Sequence, residues 1–570
     1  MAKKILSRLG VIMIALLGMR HSVGQTVSKP ADSILVNGNI IKVDSKFTSA
    51  QALAIADGKI LAVGSAEEIR KFVGPQTRRI DLHGKTVVPG LIDAHIHDAG
   101  DGPGVDLYKT RSLDDVLAAI SARIRESKPG DLIVTNSGWH EGQLKEQRLP
   151  LRRDLDKVSP NNPVVVRRGG QEYVLNTAAL KKWNITSQTP LPDGGQIPKY
   201  EDGELNGELR SQALRLVTLP APPQRDLEGE IEDQLRMMRK LHSQGLTSIR
   251  IPGAPVNQYR VLQEIKRRGM LTMRVNLLLQ ARDIVNAAEL AKRLDSWNVR
   301  PDEGDDWLRF GGFKFLIDGS YEGAWMKEPY AEPFGKRGTY HGIQLVPSDT
   351  FISMVRELGR RGHRVAVHTL GDAALDLVLG AYEAADRDKS IASRRWVIEH
   401  GFLIPSADIP RIKRLGIQIG TQRQLYFAAP SMKKFWGEQR AKSVNELRTL
   451  LDNKVGVAGG TDLNGQLFPT FYHYITRQTI SDGVYAPEQR ISRQEALRLF
   501  TINNAYLTFE ENVKGSLEPG KLADLVVLSD DIMTCPVDKI LDLTVLMTMV
   551  NGKIVFQHKE FLISNPKSKI

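Results

Sequence analysis

The stretch TVVPGLIDAHIH, residues 86–97, is an apolar, β-branched run that ends in two histidines one residue apart. On an extended chain, side chains two apart lie on the same face, so His95 and His97 project together from a strand end. Two imidazoles so placed can share a metal ion. Alone the pattern is weak, because a single buried histidine at a strand end is more often a hydrogen-bonded core residue. Its weight depends on what the rest of the chain repeats.

Seven further apolar runs follow it: LTSIRI (246–251), LTMRVNLLL (271–279), FGGFKFLI (310–317), HRVAVH (363–368), RWVIEH (395–400), GIQIGT (416–421) and KVGVAGG (454–460). They alternate with amphipathic helical stretches, which argues for a parallel sheet. With the first run (86–94) they make eight strands, the number a closed barrel needs. The first and second runs are too far apart for one crossover. Residues 98–225 therefore read as an insertion, with DLIVTNSGW and PVVVRR as further strands, forming a lid or side wall. Ser492-Arg493-Gln494-Glu495 reads as a capping box opening a helix through LRLFTINNAYL.

The chain ends look alike. ILVNGNIIKVDSKFTSAQALAIADGKILAVG (34–64) is broken by Asn-Gly and Asp-Gly, and LTVLMTMVNGKIVFQ (543–557) by Asn551-Gly552, which is hairpin chemistry. The expected fold is α/β: a metal-dependent (β/α)8 TIM-like barrel over 89–509 carrying the insertion, and a small β-sandwich made by 30–88 and 510–560. Residues 1–24 stand apart. Lys3, Lys4 and Arg8 precede the apolar Val11–Met19, and His21-Ser22-Val23-Gly24 supplies small residues before a cleavage point after Gly24. That is the pattern of a signal peptide, and it implies a periplasmic or secreted protein. The apolar run falls short of the about 20 residues that span a bilayer, so no stable membrane span is expected.

Composition sets the outer bounds. The 570 residues are 41% hydrophobic and 25% charged, ordinary for a globular enzyme. The single cysteine, Cys535, excludes an intrachain disulfide and a cysteine metal cluster. The net charge of +12 is spread among interleaved acids, with no basic stripe bearing stacking aromatics, so nucleic acid is not an expected partner. A small-molecule substrate is, and homo-oligomerisation is left open.

The decisive pattern is where the ligand-type residues fall. Active sites of (β/α)8 barrels sit at the carboxyl ends of the strands. His95 and His97 close the first run, His368 the fifth and His400 the sixth; Asp462 follows the eighth, and Lys314 lies near the end of the fourth. Four of the chain's 12 histidines thus sit at three proposed strand ends. Imidazole and carboxylate suit zinc and related divalent ions.

PGLIDAHIH (89–97), SGWHEGQL (137–144), NTAAL (176–180), GGFKFLIDGS (311–320), VAVHTLGDAALDLVL (365–379), VIEHGFLI (397–404), GGTDLN (459–464) and KGSLEPGKLADLVVL (514–528) together resemble the amidohydrolase superfamily. The likeness is to its amidohydrolase 3 branch, which includes N-substituted formamide deformylase-like proteins. The resemblance implies metal ligands at His95, His97, Lys314, His368, His400 and Asp462, and two ions, zinc by expectation, bridged by a carboxylated Lys314. It implies hydrolysis of a carbon–nitrogen bond other than a peptide bond by a metal-activated water, with Asp462 as general acid/base. An ester, lactone or carbamate hydrolase with the same centre is an alternative, and a non-catalytic small-molecule-binding protein with a retained fold is another. Lys314 could instead be a salt-bridge lysine paired with Asp318, and Asp372 in HTLGDAA reads as a helix cap.

Trp139, Gln171 and Gln422 are the expected substrate-binding residues, though Trp139 also suits a packed core position and Gln422 a plain loop. Two departures from the family pattern bear on substrate. Gln171 stands where members usually carry a histidine, and RIPG (250–253) stands where HDAG is common.

Overall fold

The computed structural model describes residues 29–561, apart from 100–103, 171, 193–194, 221–224, 282–283, 333–337 and 463. Eight strands form one parallel sheet in sequential order: β1 (Leu91–Asp93), β2 (Leu246–Ala254), β3 (Arg274–Gln280), β4 (Leu308–Leu316), β5 (Val365–Thr369), β6 (Val397–His400), β7 (Gln418–Thr421) and β8 (Gly456–Gly459). Ala94 N donates to Gly459 O at 3.1 Å and joins β8 to the end of β1. This is the expected (β/α)8 barrel, and strands and outer helices share one large apolar cluster.

The first predicted strand is in fact two. Thr86–Pro89 pairs with Leu525–Leu528 and Asn39–Ile41 in a separate sheet, and β1 begins after Gly90. A Cβ on Gly90 would lie 2.2 Å from Thr247 Oγ1, so the crossing between sheets needs glycine.

Both chain ends build the accessory β-structure, as their similarity implies. One sheet orders Lys553–Gln557, Val545–Val550, Leu525–Leu528, Thr86–Pro89, Asn39–Ile41 and Ser49–Ala50; a second orders Lys59–Gly64, Ala52–Ala56, Ser33–Val36 and Arg78–Asp81. Leu35, Ile40, Leu53, Leu525 and Met547 share the apolar core between them. Asp57-Gly58 and Asn551-Gly552 turn hairpins with positive φ at both residues, the type I′ geometry their sequence favours. Asn37-Gly38 does not make a hairpin, because the strands on either side of it belong to different sheets.

The insertion carries a five-stranded sheet in the order Gly195–Gln196, Glu208–Ser211, Glu172–Leu175, Val164–Arg168 and Ile133–Val134. Ser492 and Glu495 form the expected reciprocal cap, but the helix ends at Leu499 and a second begins at Ile502. Asp372 does not cap the helix after β5: Gly371 holds that position, and Asp372 Oδ1 accepts from Lys327 N at 2.9 Å. Among the described residues no helix is long and apolar enough to cross a membrane. The expected signal segment, 1–24, lies outside them, and the expectation of a signal peptide with a periplasmic or secreted location finds no support in the structure.

Candidate metal centre

At the carboxyl end of the barrel, β1 and β8 are tied together by Asp93. Its buried carboxylate accepts from His95 N (2.9 Å), Thr461 N (3.1 Å) and Thr461 Oγ1 (2.7 Å). Asp462 N in turn donates to His95 O at 2.7 Å. These bonds fix the two strand ends so that His95 Nε2 stands 3.4 Å from Asp462 Oδ1. His97 joins them, its Nε2 3.3 Å from His95 Nε2 and 3.5 Å from Asp462 Oδ1.

His400 enters from β6, its ring centroid 4.9 Å from that of His95. A regular strand sends neighbouring side chains to opposite faces. His400 has φ +70°, and with that turn both it and its neighbour Glu399 reach His95. Asp462 also has a left-handed backbone, at φ +62°. Non-glycine residues held there cost about 1–3 kcal/mol each and concentrate at functional sites.

The imidazoles are fixed from behind. His95 Nδ1 is 2.8 Å from Glu399 Oε2, and Arg250 NH1 donates to Glu399 Oε1 at 2.5 Å and to Ala94 O at 3.1 Å. His400 Nδ1 donates to Gln422 Oε1 at 2.7 Å. With each Nδ1 carrying the proton, each Nε2 keeps its lone pair. Burial disfavours charge on Glu399, but Arg250 and His95 outweigh it and hold its carboxyl well below the usual range. Burial likewise opposes ionisation of Asp462; His95, His400, His97 and Lys314 prevail and keep it a carboxylate. Burial, with neighbouring His368 adding to it, pushes His400 well below the ordinary imidazole range, so it stands neutral.

Among the described residues His95, His400 and Asp462 form a group that could hold a metal ion, with donor atoms within 4.8 Å of one another, and His97 Nε2 stands within 3.5 Å of two of those donors. The set fits such an ion: two imidazoles and one carboxylate, with His95 Nε2 and Asp462 Oδ1 already at the about 3.4 Å edge of a tetrahedron with about 2.1 Å bonds.

The expectation of two zinc ions bridged by a carboxylated Lys314 does not hold. The candidate donors among the described residues gather at a single place, around His95, His400 and Asp462. His368 lies beside His400, rings 4.5 Å apart, but its Nε2 is 3.1 Å from Gly319 O and turned toward that carbonyl. Lys314 is buried, and burial pushes its ammonium down to about 8 while Glu399 and Asp462 hold against it. It is not paired with Asp318, whose carboxylate accepts from Trp325 N, Leu370 N and Gly371 N.

A cavity of about 150 Å³ opens beside Asp462. The insertion contributes Ser137, Trp139 and Arg168 to its wall, the segment after β4 contributes Ser320 and Tyr321, and the helix after β7 contributes Gln424 and Phe427. Trp139 lines this cavity, and its indole is also packed in the insertion core, with Nε1 donating to Arg167 O at 2.7 Å. Gln422 is buried against His400 and is not part of this wall. Gln171 lies outside the described residues. Glu399, Arg250 and Gln424 escaped the sequence reading. The departure RIPG was the one trace of Arg250, and its partner became visible only in three dimensions.

The amidohydrolase family profile matches residues 78–556. The chain belongs to the amidohydrolase family. This amidohydrolase is 28% identical over 540 residues to N-substituted formamide deformylase of Arthrobacter pascens, covering 92% of this chain and 98% of that protein. It is 29% identical over 542 residues to Protein LONG AFTER FAR-RED 3 of Arabidopsis thaliana, covering 92% of each. Among solved structures, an uncharacterized metal-dependent hydrolase from Pyrococcus furiosus aligns with a TM-score of 0.64 and 26% identity, over 88% of this chain and all of that one.

Proposed function

We propose that this amidohydrolase uses one divalent ion, held by His95, His400 and Asp462, to hydrolyse a carbon–nitrogen bond in a small non-peptide amide. The observation that carries the reading is a donor group of two imidazoles and a carboxylate, with a small cavity opening on that carboxylate. The likeness to N-substituted formamide deformylase over nearly the whole of both chains supports the choice of bond. When bound, the ion supplies Lewis acidity for a carbonyl oxygen and for a water.

The residues divide the remaining work. Glu399 and Gln422 keep the His95 and His400 rings in one tautomer and orientation. Asp462 turns Oδ1 to His95 and His97, while Oδ2 accepts from Gln424 Nε2 at 2.9 Å. Oδ2 is then the atom that takes a proton from the attacking water and passes it to the leaving nitrogen. Water's oxygen adds to the carbonyl carbon, the carbon–nitrogen bond breaks, and acid and amine leave. Trp139, Tyr321 and Phe427 wall the acceptor space with rings.

The test is release of free amine from a panel of N-substituted formamides and other N-acyl amines by metal-loaded protein. Asp462→Asn is expected to lower kcat by roughly 10²–10⁴-fold. Amine release from none of the panel, or an unimpaired Asp462→Asn variant, would refute the assignment.

A further inference from the structure

The space beside Asp462 is too small to hold a whole substrate of ordinary size. Ligand sites run to about 300–1,000 Å³, and the cavity that opens on Asp462 has about 150 Å³. A cleft of about 920 Å³ adjoins it, and Arg168 and Ser320 line both. The cleft runs between insertion and barrel. Leu149 and Leu151 stand on the insertion side, Tyr340, Ile343, Leu345 and Phe435 on the barrel side. Ile343 and Leu345 are 38% and 48% exposed. Exposed aliphatic side chains scattered singly need no explanation, but two together in the wall of a cleft mark a place where an apolar group can be covered.

The charges of the same cleft decide which end of an amide it suits. Arg168 is held by Glu141, Glu172 and Glu322, and Arg210 by Glu172 and Glu208. Four carboxylates thus meet two guanidiniums. Arg148 and Lys434, also in the lining, are committed to Asp154 and Glu332. Burial and neighbouring Glu172 prevail over Arg210 and push the Glu208 carboxyl above its usual range, so negative charge is already in excess there. Amide hydrolysis yields an acid and an amine. A carboxylate would enter this cleft against like charge, and an alkylamine would not.

We propose that the cleft receives the nitrogen substituent of the scissile amide, so that the enzyme acts on amides of an amine with a long apolar substituent and rejects those whose amine portion carries a carboxylate, such as N-acyl amino acids. The proposal rests on the carbon–nitrogen hydrolysis argued above and names the amine part of its substrate. The scissile bond lies at Asp462, the substituent passes Arg168 and Ser320, and its far end is covered by Ile343 and Leu345. Arg168, tied to Glu141 and Glu172 on the insertion and to Glu322 on the barrel, holds the two walls of that passage together.

The experiment uses three amides of the acyl group that serves best in the panel above, with N-methyl, N-hexyl and N-(5-carboxypentyl) substituents. Metal-loaded wild-type protein is compared with the double variant Ile343→Ser, Leu345→Ser. The wild type is expected to prefer the N-hexyl amide to each of the others by at least about tenfold in kcat/KM. The double variant is expected to lower the ratio of N-hexyl to N-methyl amide by about tenfold, roughly the effect of uncovering two methylenes. All three substrates meet the same centre, so loss of metal or of folded protein lowers their rates together and leaves the ratios in place. Equal wild-type rates for the N-methyl and N-hexyl amides, a carboxypentyl amide turned over as fast as the hexyl amide, or a ratio that the double variant leaves intact would overturn the proposal. If no amide turns over, the hydrolase reading fails separately, and calorimetry of hexylamine and methylamine on the two proteins reads the cleft alone. Tighter binding of hexylamine that the variant loses upholds it, and equal affinities overturn it.

Discussion

At the scale of single residues, the centre depends on what stands behind its donors. Glu399 lies between the Arg250 guanidinium and the His95 ring, all three buried. Removing one member of a buried ion pair leaves the other uncompensated, at a cost of about 3–5 kcal/mol. Glu399→Gln is therefore expected to lose about that much stability in denaturant unfolding and to weaken metal binding roughly 10–100-fold in chelator competition. Adding Arg250→Met to that variant should restore part of the stability but not the affinity, because His95 still lacks its carboxylate. Equal recovery of both would show that Glu399 acts only as a counter-charge. The substitution of RIPG for a more usual sequence at β2 thus has a structural meaning: it puts a cation where it anchors the carboxylate that orients His95.

At the scale of elements, side chains at the mouth of the barrel are aimed by irregularities in otherwise regular strands. In β4 the register shifts at Gly311, where Leu277 faces Phe310 and Leu278 faces Gly312, and this bulge re-aims the following Phe313 and Lys314. Gly312 has φ +113°, and a Cβ there would sit 2.3 Å from Arg364 O. Gly312→Ala is expected to cost roughly 2–4 kcal/mol, from the left-handed backbone and the collision with a main-chain carbonyl, read as a lower denaturant midpoint. An unchanged midpoint would mean that β4 relaxes freely.

The legibility of the chain has the same basis. The eight strands could be read because buried parallel strands are nearly continuous apolar runs, and His95, His400 and Asp462 because they follow directly on such runs. The break at Gly90 could not be read, since one apolar run serves two sheets. Nor could the orientation of His368, which depends on the Gly319 carbonyl 49 residues away. Gln424 resembled any polar residue at a helix start, and only its contact with Asp462 distinguishes it.

At the scale of the whole molecule, the barrel places the donors and the insertion closes the space above them. A second cleft of about 920 Å³ lies between insertion and barrel and shares Arg168 and Ser320 with the inner cavity. Arg168 joins the two parts through Glu141 and Glu172 of the insertion and Glu322 after β4. Elsewhere the fold buries neutral histidines, which makes it sensitive to acid. His242 is enclosed, with Nδ1 on Leu246 O and Nε2 on Thr272 Oγ1, and burial pushes it down to about 4. In the unfolded chain it titrates near 6.5, so between those values the unfolded state binds more protons and stability rises with pH. Its contribution is complete above about 6.5 and is lost as pH falls toward 4, by about 3 kcal/mol. Unfolding of His242→Gln across pH 4–7 should show a pH slope shallower than wild type by that amount; parallel profiles would show that His242 is not the group responsible.

The account rests most heavily on one ion held by three donors. Its most direct test is the metal-to-protein ratio of purified protein, measured by elemental analysis for the wild type and for Asp462→Asn. The account predicts one divalent ion per wild-type chain and markedly less in the variant. Two ions per chain, none, or a ratio indifferent to Asp462 would contradict it.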